Sequence, residues 1–129
     1  MEALKRNLGL LVLRVGFGGT MCFVHGFQKV INFQSMSGSF PDPLGIGSVF
    51  SLGLCILAEF FCAGLIAVGF YTRWATYPLI ITMSVAAFMI HKNDPFQKKE
   101  LALIYLMGFI AINLLGSGKY SLGKKDRTN

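Results

Sequence analysis

Four long apolar runs, separated by short polar connections, dominate the 129-residue chain and restrict it more than any other feature. They predict helices over about 8–27, 48–70, 74–91 and 95–115. A helix needs about 20 apolar residues to cross a bilayer, and the second run has that length with room to spare. The fourth reaches it only if Asp94-Pro95 opens the helix, with Asp94 as N-cap and Pro95 in the first turn. Helices in a soluble bundle would each carry a polar stripe, and these runs have none. Charged residues make up 14% of the chain against 53% hydrophobic, where a soluble domain carries about 25% charged. The expectation is one domain, 1–129: an all-α integral membrane bundle of four antiparallel helices in contact with the lipid bilayer.

The net charge of +6 raises nucleic acid as a partner, but that requires a solvated basic face. Here the basic residues punctuate apolar runs, so no nucleic-acid role is assigned. They set the orientation instead, because cytoplasmic loops collect Lys and Arg. With both ends cytoplasmic, that side holds Lys5, Arg6, Arg73, Lys119, Lys124, Lys125 and Arg127, against Lys29, Lys92, Lys98 and Lys99 opposite. Tyr71, Trp74 and Tyr77 would mark the inner interface. The longest connection, 28–47, would lie outside and pack at the outer interface. The first run has the basic start of a signal peptide, but Arg14 interrupts it, and it is expected to remain as a span.

Cys22, Cys55 and Cys62 all fall in apolar runs, and no two form a C-x-x-C unit. They read as small buried hydrophobes.

Ionisable residues inside a span are costly, which makes each a functional candidate. Arg14 lies about 9 Å inside the edge taken at Leu8, and Glu59 lies near the middle of the second run. Arg14, Gly18, Met21 and His25 fall on one helical stripe, which Lys29 continues. Equal counting from the apolar edges sets Gly18 level with Glu59 and leaves Arg14 about 7 Å from it in depth. Arg14, Glu59 and, as a fallback partner, Ser84 form the candidate intramembrane site. It reads either as a structural ion pair or as a site for a proton or a polar ligand such as a quinone headgroup. His25, Lys29, His91 and Glu100 form a second candidate group at the outer face. That group reads as paired interfacial residues or as the mouth of a binding site. No metal-ligand spacing is recognised, and no nucleophile–base pair or cofactor motif is visible, so independent catalysis is not supported.

The chain resembles the DoxX family of small bacterial membrane proteins. The resemblance is carried by Leu13-Arg14, His25-Gly26-Phe27-Gln28-Lys29, Ala58-Glu59, the run 64–69 and Tyr71-Thr72-Arg73. It continues in Glu100-Leu101-Ala102-Leu103 and the tail from Gly116 to Leu122, where Gly123 replaces the family's usual Asp. It implies a multi-pass protein of the bacterial cytoplasmic membrane. It further implies an accessory, non-catalytic subunit of a quinone-linked or thiol- and sulfur-linked oxidoreductase system, with a redox partner protein. A carrier or channel for a small solute or proton, working as a homo-oligomer, is the competing class, and a ligand-free structural factor is the third.

Overall fold

The computed structural model describes residues 1–123, and among these every regular element is helical. Helix α1 is Glu2–Ile31, and a short helix α2, Phe33–Met36, follows it. Helix α3 is Ser48–Val68, α4 is Thr72–Ile90 and α5 is Phe96–Leu115. Three of these, α1, α3 and α4, are long and apolar enough to cross a membrane. Helix α5 is equally long but opens on Lys98, Lys99 and Glu100.

α1 outruns the apolar stretch 8–27 at both ends. Hydropathy marks where a helix is greasy, whereas backbone hydrogen bonding continues through Lys5-Arg6-Asn7 and Gln28-Lys29. The hydrogen-bonding pattern widens to the π type over Arg14–Gly19, Met21–Gly26, Leu57–Cys62 and Ala86–Ile90. Such turns favour functional positions, and three of these four contain Arg14, His25 or Glu59.

The turns are made by local chemistry. α3 stops at Gly69, whose left-handed backbone (φ 79°) lets the Gly69 and Phe70 N–H groups turn back to the Leu65 carbonyl. α4 tolerates Pro78 in its interior, and the Thr82 hydroxyl donates to the Pro78 carbonyl at 2.7 Å. α5 begins at Phe96 with Pro95 itself at the N-cap, where the Asp94-Pro95 pattern puts Pro95 in the first turn. Asp94 does not cap it, however. Its carboxylate is taken by His91 Nδ1 at 2.8 Å, one turn back at the end of α4.

Met21 of α1, Ile66 of α3, Leu79 and Met83 of α4, and Tyr105 and Phe109 of α5 belong to one buried core. Facing outward are Phe23, Phe50, Trp74 and Met107, each more than 60% exposed. Large apolar side chains outside, with Arg14 and Glu59 buried inside, reverse the arrangement of a soluble protein. Such an exterior suits contact with a lipid bilayer. Of the basic residues on which the expected orientation rests, Lys124, Lys125 and Arg127 lie outside the described residues.

Candidate functional site

The depth of each polar group follows from where α1 crosses α3. A Cβ at Gly18 would lie 2.8 Å from the Ala63 carbonyl oxygen and 2.9 Å from the Ala67 nitrogen. At Gly26 it would lie 2.5 Å from the Glu59 carbonyl oxygen. Glycine is required at both positions, because α1 touches the backbone of α3 there. Glu59 is therefore level with Gly26, not with Gly18. Arg14 is twelve residues further down α1, about 18 Å away along the axis.

The expected Arg14–Glu59 site accordingly divides into two. Counting inward from the apolar edges assumed that both helices start at one level. α1 in fact extends past its apolar run and packs along α3, with Gly18 against Ala63 and Ala67 and Gly26 against Glu59.

At the far end Glu59, only 5% exposed, receives Lys29 Nζ on Oε1 at 2.6 Å. Cys55 Sγ donates to its other oxygen, Oε2, at 2.9 Å. Lys29 arrives by the stripe that Arg14, Gly18, Met21 and His25 share on α1, of which Arg14, Gly18 and Met21 are buried and His25 is half-buried. Cys55 arrives by helical spacing, one turn before Glu59 on the same face of α3. It is more than the packing residue its apolar surroundings suggest. His25 leans the other way, edge-on to Tyr105 of α5 with ring centroids 5.5 Å apart, within electrostatic reach of both Glu59 and Lys29.

Lys29, Cys55 and Glu59 form one wall of a cavity of about 360 Å³. Its α4 wall is the stripe Thr82, Val85, Ala86 with His91 at the top. Ser84 falls between those positions and is not on the stripe, so the fallback partner of Glu59 does not reach it. Of the outer group, Lys29 and His91 meet at the cavity and His25 lies behind it. Glu100 is exposed on α5 and lines no part of it.

The roof of the cavity comes from the connection after α2, through Phe40, Pro41, Pro43, Leu44 and Ile46. Asp42 holds this roof to the start of α3. Its carboxylate accepts from the N–H groups of Ile46 at 2.9 Å and Gly47 at 2.7 Å, and from the Ser51 hydroxyl at 2.9 Å. Those bonds, Gly47's foremost, hold the Asp42 carboxyl below its ordinary pKa. Asp94 is likewise held low, chiefly by the hydrogen bond from His91. The charge pattern showed none of this, because Asp42 sits among prolines and glycines outside every span.

The near end is assembled differently. Arg14 is 1% exposed and donates through Nη2 to the Tyr120 carbonyl of the tail. It packs against Gly69, at the turn between α3 and α4, and Ser121 of the tail packs against the same glycine. The tail is bound there by its backbone as well. Leu122 N–H donates to the Val68 carbonyl at 3.2 Å and Gly123 N–H to Gly69 at 3.0 Å. Lys119 N–H donates to the Asn7 side chain at 3.1 Å. Beside it, Arg73 Nε donates to the Asn113 carbonyl near the end of α5 at 3.1 Å, and Asn113 Nδ2 returns a bond to the Thr76 hydroxyl at 2.9 Å.

Three long apolar helices packed on a common core, with ionic groups turned inward, define a multi-pass membrane protein. The sequence pattern of the DoxX family matches residues 9–92, well over half of the chain, and the chain belongs to that family. Neither curated proteins nor solved structures gave a match.

Proposed function

We propose that the protein is a four-helix bundle of the bacterial inner membrane, with both ends cytoplasmic. In this reading it serves as a non-catalytic subunit of a membrane oxidoreductase system and holds a quinone at its Lys29 end. α5 serves as the fourth span, since its charges are confined to the first turns and Tyr105, Phe109 and Ile112 join the core. The observation that carries the reading is the cavity. About 360 Å³ of mostly apolar wall converges on a few polar groups, Lys29, Glu59, Cys55 and His91. Apolar walls with sparse, placed polar groups are the usual form of a small-ligand site. Lys29 and His91 can donate to a carbonyl-bearing ring, and the apolar wall accepts the rest. A carrier would need a path past the Arg14 end, where the tail packs across α1 and the α3–α4 turn. A site with no path through that end accords better with holding a ligand than with passing one.

Purification from native membranes in mild detergent, followed by solvent extraction and mass spectrometry, tests the ligand. About one quinone per protein is expected; recovery of native lipids without quinone would refute it. An impermeant thiol reagent added to intact cells tests the orientation. In a background lacking Cys22, Cys55 and Cys62, Ser39→Cys should react and Lys119→Cys should not. Both positions are exposed, so a reversed pattern would invert the topology.

A further inference from the structure

The position of the cavity says which phase its occupant comes from. Its lining residues Leu54 and Ile81 are 54% and 63% exposed. They lie on α3 and α4, within the stretches apolar enough to cross a membrane. The cavity is thus open sideways, between α3 and α4, at a level where a spanning helix meets lipid. Above, toward the helix ends, the loop fastened by Asp42 covers it. Below, the Lys29–Glu59 pair and Cys55 close it against the core.

The ionic group at its wall is also matched within the chain. Lys29 is paired with Glu59, and the ring of His91 is held by a hydrogen bond with Asp94. An anionic or cationic ligand would have to break the Lys29–Glu59 pair, whereas an uncharged group can accept or donate alongside it. A buried, internally compensated pair therefore selects a neutral hydrogen-bonding headgroup. The sideways opening selects an apolar chain attached to it.

We infer that the gap between α3 and α4 is a lateral portal through which a neutral headgroup on an apolar chain enters from the lipid, while the 37–47 loop shuts the same cavity off from water. This deepens the quinone reading and rests on the same site. It differs in assigning the route and the chemical class, which other neutral isoprenoid or acyl amphiphiles also satisfy.

The test places a reporter thiol inside the cavity as Ala86→Cys, in the full chain with Cys22→Ala, Cys55→Ser and Cys62→Ala, in membrane fragments accessible from both faces. A maleimide on an alkyl chain should label it, and a sulfonated, water-confined maleimide should not. Leu54→Trp or Ile81→Trp, which narrow the portal, should slow the alkyl reagent at least about tenfold. Asp42→Ala should admit the sulfonated reagent. Labelling by the sulfonated reagent with the loop intact would overturn the proposal, as would an alkyl rate indifferent to both tryptophans. Labelling by neither reagent, with full reaction after denaturation, would mean a closed cavity and would overturn it too. The ligand's identity is tested separately. If no quinone copurifies but this labelling pattern holds, the quinone assignment falls and the portal stands; if quinone copurifies and the pattern fails, the reverse is true.

Discussion

The two ends of the molecule each bury a charged side chain at 5% exposure or less, Arg14 at one and Glu59 at the other, and they treat it in opposite ways. At the Arg14 end the chain folds its own tail over the charge, with the Tyr120 carbonyl as acceptor and the backbone of Val68 and Gly69 as the tail's seat. At the Lys29 end an ion pair and a thiol stand at the wall of a cavity under a loop. Burial alone thus says little about role, since every ion in a low-dielectric setting must find partners. What separates the two is whether space adjoins the partners.

The largest expected difference comes from breaking the ion pair. Glu59→Ala leaves Lys29 without its counter-charge and should cost roughly 3–5 kcal/mol, read as a lower melting temperature of the detergent-solubilised protein. Lys29→Ala should cost a similar amount, and the double substitution less than the sum. Arg14→Ala combined with Glu59→Ala should be additive, because some 18 Å of α1 separates the two levels. Non-additivity there, with additivity for Lys29 and Glu59, would reverse the assignment of partners.

A smaller effect is expected at the other end. Arg14→Gln removes a charged donor from the Tyr120 carbonyl, and such bonds contribute about 1.5–3 kcal/mol. The tail should then become sensitive to protease near Lys119 before the helices unfold. Equal protease resistance in both proteins would mean that Arg14 does not hold the tail.

The mildest effect concerns the roof. Asp42 has a depressed pKa in the folded protein, so its contribution is present above the unfolded value of about 3.9 and is lost as pH falls through the folded value. The amide resonances of Ile46 and Gly47 should hold their shifts down to pH values below the ordinary carboxylate range and then move together. Asp42→Asn should shift them at neutral pH while leaving the Lys29–Glu59 pair intact. If these amides titrate at an ordinary carboxylate pKa instead, Asp42 is not their acceptor.

The helical faces that meet at the Lys29 end were legible in the residues, but the pairing of Lys29 with Glu59 was not. Periodicity alone aligned Arg14, Gly18, Met21, His25 and Lys29, and set Cys55 on the face of Glu59. Depth was not legible, because hydropathy shows where lipid begins but not how far a helix continues beyond it. Two glycines decide the level of crossing, and Gly18 and Gly26 look alike in sequence. The correct one for Glu59 is known only once the backbones meet. His91 had Asp94 three residues on, a local pair that the reading of Asp94 as a helix cap concealed. The tail from Gly116 to Leu122 stood out as a motif, yet no pattern within it says that it returns to Arg14. That contact spans 106 positions of the chain.

The central claim, that one end holds a ligand and the other closes on itself, is tested most directly by the ligand retained per folded protein. Wild type, Lys29→Ala, Glu59→Gln and Arg14→Gln would be purified identically in mild detergent. Their monodisperse fractions would be extracted, and the bound quinone counted by mass spectrometry. The account predicts that the two variants at the Lys29 end lose at least about nine-tenths of it, a change of about 1.4 kcal/mol or more in binding, while Arg14→Gln retains it. Loss in Arg14→Gln, or retention in Lys29→Ala and Glu59→Gln, would contradict it.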